Sequence, residues 1–148
     1  MPTQPSADGV FTTSRLFPFT PAQIFAAFAD ADRLATWWGP DGFSNTFEVF
    51  EFKPQGRWKF VMHGPDGTDY ANDCTFLEAS PQRIVIRHVT APHFTLSITL
   101  TEADGQTLLD WRQAFDDPRV AAAVAPIVGP ANEQNLNRLQ AVLLAAAG

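Results

Sequence analysis

The stretch from Gly56 to Phe76, GRWKFVMHGPDGTDYANDCTF, decides the fold. Its first part alternates Trp58, Phe60 and Met62 with Arg57, Lys59 and Val61; its last part alternates Tyr70, Asn72, Cys74 and Phe76 with Ala71, Asp73 and Thr75. A period of two places each set on one face of a strand. Between them, Gly64-Pro65-Asp66-Gly67 supplies turn residues. The pair is therefore expected to run antiparallel, with one largely apolar face and one polar face.

The same alternation continues outward. Ile84, Ile86 and His88 share a face, as do Phe94, Leu96, Ile98 and Leu100, and then Leu109, Trp111, Gln113 and Phe115. Turn signals at Pro54-Gln55-Gly56, Ser80-Pro81, Ala91-Pro92 and Asp104-Gly105 separate these runs, so six strands fit between Phe43 and Phe115. Upstream, Val10 to Phe17 reads as a further strand. Thr20-Pro21-Ala22-Gln23 then carries an N-cap Thr, a Pro at the first helical position and Gln at the third, with Phe19 placed to staple against Ile24. Asp30-Ala31-Asp32 breaks that helix and caps a shorter one that ends at Trp38 before Gly39-Pro40. Downstream, a helical pattern starts after Asp117-Pro118, is expected to break at Pro126, and restarts at Gly129-Pro130 with an apolar stripe of Leu136, Leu139, Val142 and Leu143. That stripe needs a surface to cover, and the apolar face of the sheet provides it. The fold class is α+β: a curved antiparallel sheet of six or seven strands, two short helices, and a long C-terminal helix on its concave face. Residues 1–9 read as a flexible tail and 10–148 as a single domain.

The chain of 148 residues is long enough to bury a sizeable core, and its lone Cys74 excludes an intramolecular disulfide and any CxxC site. Ten Lys and Arg against sixteen Asp and Glu leave a net charge of −6 without a basic cluster, which argues against nucleic acid and anionic membrane as partners. The N-terminus has no signal-peptide order, and the apolar Val120–Val128 stretch is too short to span a bilayer, so a cytoplasmic protein is expected. Thirteen Phe and four Trp against a single Tyr supply much apolar area with few polar handles. They are either a dense core or, in part, the lining of a pocket.

The order of elements, together with Thr20-Pro21, Trp37-Trp38-Gly39-Pro40, Pro65-Asp66-Gly67, Trp111-Arg112-Gln113-Ala114-Phe115 and Asn132-Glu133-Gln134-Asn135-Leu136, resembles the bacterial proteins similar to the C-terminal domain of the heat-shock-protein-90 ATPase activator. These belong to the START-like, birch-pollen-allergen-like helix-grip superfamily (SRPBCC). The likeness runs from about Val10 to Ala147. It implies a helix-grip fold around a cavity, but the scaffold hosts lipid carriers, cyclases, sequestering proteins and co-chaperone domains alike. Where many relatives have Gly-Gly before the Trp-bearing strand, this chain has Gln55-Gly56.

Trp37 and Trp38, adjacent on a helix, point about 100° apart, so they cannot both enter one core site. The resemblance places this segment beside the cavity mouth and makes Trp37, Trp38 and Phe43 gate candidates. The inward positions Phe47, Trp58, Phe60 and Met62, then Tyr70, Phe76 and His88, then Phe94, Leu96, Trp111 and Leu139 are the expected cavity wall. Tyr70, Asn72 and Gln113 are polar residues within otherwise apolar strands. They either bond one another or point at a ligand or water. His63, His88 and His93 match no HExxH or HxH spacing, so neither a metal nor a cofactor is expected. No phosphate loop, nucleophile elbow or Ser-His-Asp order is present, and no catalytic residue is assigned.

Three functional readings follow. The first is a binding module for a small apolar or aromatic molecule, acting as a monomer or homodimer. The second is a cyclase- or hydratase-like enzyme in which His88 or His63 moves a proton and Tyr70 or Asn72 holds a carbonyl oxygen. The third, implied by the resemblance, is a chaperone-interaction module. The eukaryotic co-chaperones carry an extra N-terminal domain for which this chain has no room.

Overall fold

The computed structural model describes residues 5–147. Seven strands form one antiparallel sheet: β1 (Val10–Phe17), β2 (Ser44–Phe50), β3 (Gly56–His63), β4 (Asp69–Ala79), β5 (Arg83–His88), β6 (Phe94–Ala103) and β7 (Gln106–Phe115). Their spatial order is β1-β7-β6-β5-β4-β3-β2, so each hairpin-linked neighbour is paired and β1 closes against β7. The decisive hairpin pairs Trp58 with Cys74, Phe60 with Asn72 and Met62 with Tyr70. Register shifts at Phe47/Val49 and Phe76/Glu78 insert single extra residues into β2 and β4. Such bulges bend and twist a strand, and these curve the sheet towards its apolar face.

Helices α1 (Pro21–Ala29) and α2 (Ala31–Trp37) start where the caps place them. Thr20 Oγ1 accepts from Gln23 N at 3.2 Å while Gln23 Oε1 accepts from Thr20 N at 2.8 Å, a complete capping box. Asp30 Oδ1 takes the N–H groups of Asp32 and Arg33 at the head of α2. Gln55 resolves the departure at its turn. It adopts the left-handed φ of 67° that a Gly would accept freely, at a cost of roughly 1 kcal/mol for an L-residue. The second position is the one that demands Gly, since a Cβ on Gly56 would run into the Glu51 carbonyl.

Helix α3 (Pro118–Ala147) differs from expectation: it is one continuous 30-residue helix with Pro126 and Pro130 inside it. Each proline removes the N–H that would serve the carbonyl four residues back, at Ala122 and Pro126. Ala122, Pro126 and Pro130 are all exposed, so water can take over those carbonyls and the helix is not forced to end. Residues 1–4 lie outside the described residues, but Ser6 to Gly9 form a hydrogen-bonded turn, and Gly9 is buried against Pro118 and Ala121.

Two apolar clusters hold the layers together. The larger joins α1, α2 and the second half of α3 to the concave face through Phe28, Trp37, Trp58, Phe76, Leu136 and Leu139, all fully buried. The smaller, Phe11, Phe115, Ala121 and Ala125, lies under the first half of α3. Polar residues of α3 between the clusters tether it. Arg15 of β1 bonds Asn137 Oδ1 at 2.8 Å and Glu133 Oε1 at 3.2 Å. Gln134 Oε1 accepts Asp41 N at 3.1 Å, and Asn135 Oδ1 accepts Gly39 N at 3.2 Å.

Candidate functional site

Between the clusters, where residues 127–135 of α3 cross the sheet, the layers stand apart around a half-open cavity of about 590 Å³. Its wall takes Trp38 and Phe43 from the α2–β2 connection, Phe60 and Met62 from β3, and Tyr70, Asn72 and Cys74 from β4. Ile86 and His88 of β5, Phe94 and Leu96 of β6, and Trp111 and Gln113 of β7 continue it. Ile127, Val128, Ala131, Asn132 and Asn135 form the roof. No Asp, Glu, Lys or Arg lines it among the described residues.

Five expected site positions, one gate candidate and four wall residues, lie elsewhere. Trp37 is a core residue, not a gate: its Nε1 donates to Ala27 O at 3.1 Å and its ring meets Phe28 edge-on at 4.9 Å. Trp38, one position on, is the half-buried partner that faces the cavity. Trp58 and Phe76 stack at 5.4 Å, and Phe47 packs edge-on against Trp58 at 5.5 Å. This aromatic slab, with Leu139 against it in the same cluster, fills the half of the concave face covered by α1 and α2. Pocket and dense core thus divide one apolar face between them.

The expected polar trio is split: Asn72 bonds the Tyr70 backbone, and Gln113 is bonded elsewhere. Asn72 Oδ1 faces His88 Nε2 at 2.7 Å, and Asn72 Nδ2 donates to Tyr70 O at 2.9 Å. Gln113 Oε1 accepts from Asn132 Nδ2 at 3.0 Å. The Tyr70 ring is exposed at the rim, 6.0 Å from Phe43. Asn132 and Asn135 were not singled out by the strand pattern. Their only local signal is an amide-rich run on a helix that otherwise carries an apolar stripe.

His88 has both ring nitrogens engaged, Nδ1 lying 2.9 Å from Pro92 O. Burial pushes its pKa below the ordinary 6.5, against the opposing hydrogen bonds to the Pro92 and Thr90 backbone, and the nearby His93 and Arg87 act in the same direction as burial. A folded ring that resists protonation makes stability fall as pH drops through the ordinary histidine range, because the unfolded chain then binds the extra proton. Urea melts at pH 7.5 and pH 5 are expected to show this loss in the parent and a smaller loss in His88→Phe. An equal loss in both would mean that His88 is protonated in the folded state.

Cys74, also on the wall, has its thiol pushed up to about 12 by burial, with Asp73 adding to the shift, so it is a protonated, unreactive group. His63 lies off the cavity on the convex face. Its Nδ1 faces Asp69 Oδ1 at 2.7 Å and its Nε2 faces Thr46 Oγ1 at 2.7 Å. With Thr46 and Asp69 exposed, this bridge ties the ends of β2, β3 and β4 on an open surface and touches no part of the cavity wall. Among the described residues no cluster of His, Cys, Asp and Glu is arranged to hold a metal ion, and no helix is long and apolar enough to cross a membrane.

The architecture recurs in solved structures. A protein from Arthrobacter aurescens superposes with a TM-score of 0.85 at 21% identity, over 93% of this chain and 87% of that one. A Mycobacterium smegmatis protein gives 0.83 at 23% identity, over 97% and 96% of the two chains. One from Rhodobacter sphaeroides gives 0.82 at 25% identity, over 95% of each. No curated protein matches the sequence. Residues 18–143, from the end of β1 almost to the end of α3, match one family over its capped helices, its sheet and its tethered final helix, and the chain belongs to it: the Activator of Hsp90 ATPase homolog 1-like proteins.

Proposed function

We propose that this chain is a binding module for a small apolar or aromatic molecule, held in the cavity between the sheet and α3. The observation that carries the reading is the wall itself: a half-open space of about 590 Å³ lined by aromatic and aliphatic side chains, a few amides and no fixed charge. Cavities of several hundred Å³ with apolar walls and a few placed polar groups are the usual form of small-molecule sites. Apolar burial supplies the affinity, and the amides supply orientation. Both nitrogens of His88 are held by protein oxygens, which favours binding over proton transfer.

Titration with the neutral fluorophore N-phenyl-1-naphthylamine is expected to give saturable one-to-one binding with unchanged near-ultraviolet dichroism. Leu96→Trp, which adds bulk to a buried wall position, is expected to weaken that binding at least about tenfold while the fold persists. Unsaturable binding, or binding indifferent to Leu96→Trp, would overturn the reading. The family description supports a second reading, activation of an Hsp90 ATPase. Stimulation of that ATPase by this chain, unaffected by Leu96→Trp, would establish it in place of the first.

A further inference from the structure

Side-chain amides form a shelf where α3 crosses β7. Asn132 Nδ2 donates to Gln113 Oε1 at 3.0 Å. Asn135, one turn along the same helix face, accepts Gly39 N at 3.2 Å. These bonds use one end of each amide. Gln113 keeps its NH2, Asn132 its C=O and Asn135 its NH2, and none of these ends has a hydrogen-bond partner among the described residues. Turning the Gln113 and Asn132 amides end for end exchanges their roles and still leaves one donor and one acceptor. Asn135 cannot turn, because a backbone N–H requires its oxygen.

Gln113 is 7% exposed, Asn135 6% and Asn132 half-buried, so the shelf lies in a recess between α3 and the sheet. The sealed, unpartnered side-chain polar atoms among the described residues are Asn45 Oδ1, Trp58 Nε1 and Trp111 Nε1. The three free amide ends are not among them and therefore reach open space, and all three residues line the cavity. Buried polar groups are normally satisfied, so a donor–acceptor–donor set left open on an apolar wall marks where a ligand's own polar edge belongs.

We propose that this shelf selects a neutral, planar ligand with an N–H donor and a C=O acceptor side by side, a carboxamide or lactam on an apolar ring system. The inference rests on the cavity being the ligand site. Charge sets the other boundary. With no Lys or Arg on the wall, an ionised carboxylate would lose its hydration without meeting a cation. The His88–Asn72 pair on the far strands is already satisfied and does not compete for the polar edge.

Displacement of N-phenyl-1-naphthylamine at pH 7.5 by four molecules of one shape tests this: 2-naphthamide, 2-acetylnaphthalene, 2-ethylnaphthalene and 2-naphthoate. The amide is expected to bind roughly three- to tenfold more tightly than the ketone that lacks its N–H, with the ethyl compound weaker still and the carboxylate weakest. The Gln113→Leu/Asn132→Leu double variant, which removes the acceptor in either orientation of the two amides, is expected to abolish the preference for the amide over the ketone and to leave 2-ethylnaphthalene within about twofold. Should that variant not fold, Gln113→Met with Asn132→Ala, which keeps the length of the first side chain without an amide at either position, is expected to abolish the same preference. If all four bind alike, or if neither variant changes their order, the shelf is not the selector although the cavity still binds. If none of the four displaces the fluorophore and the fluorophore itself does not bind, the cavity reading falls.

Discussion

Leu139→Ala is expected to destabilise the protein by about 2–5 kcal/mol, read from urea melts. Leu139 is fully buried at the centre of the stripe that α3 lays on the aromatic slab, in one cluster with Trp58 and Phe76. It does not line the cavity, so truncation opens a new void in close-packed surroundings and brings both the lost burial and the cost of the hole. An equal truncation over the existing cavity would cost less, because part of that surface is unpacked already. Val128→Ala, half-buried on the roof, is therefore expected to lose well under half as much. A Leu139→Ala protein as stable as the parent would mean that the last turns of α3 do not pack as described.

Arg138→Met is expected to cost about 2–4 kcal/mol and to weaken fluorophore binding beyond what the lost stability explains. The guanidinium reaches across from α3 to five backbone carbonyls. Nη1 donates towards Trp38 O, Gly39 O and Pro40 O at 3.3, 3.0 and 2.7 Å, and Nη2 donates to Thr36 O and Phe43 O, each at 2.8 Å. Burial lowers its pKa, with the charge of Asp41 acting the other way, so this cation owes its place to the ring of oxygens around it. Those carbonyls belong to the segment that carries Trp38 and Phe43 at the cavity rim. Methionine keeps much of the stem but leaves the carbonyls without their donor and frees the rim from α3. Arg138→Lys is expected to recover only part of the loss, since a point ammonium cannot span five acceptors. Full recovery by Lys would assign the effect to charge alone.

Everything with a short repeat was legible along the chain. The alternation in 56–76 and its continuation to Phe115 defined the strands and their inward faces because a pleated strand has period two wherever it occurs. Thr20, Gln23 and Asp30 marked the helix starts because caps are made within three residues. Pro126 misled because a local rule assigns proline a break, and only the solvent exposure of that side of α3 lets the helix run on. Facing was legible too, which is why most of the expected wall positions reach the cavity.

Facing alone does not say whether an inward side chain meets another side chain or an opening. Trp58 and Met62 share one face of one strand, yet the first is packed in the slab and the second lines the cavity. The difference is what lies above each: the close-packed cover of α1, α2 and the end of α3 in one case, the raised middle of α3 in the other. The tethers that hold that middle in place join residues far apart in sequence, Arg138 to Trp38 across 100 positions and Asn135 to Gly39 across 96. No window of the sequence contains both partners of such a bond. Strand, helix and face follow from neighbours along the chain, whereas the cavity, its amide shelf and its clamped rim exist only once the final helix has crossed the sheet.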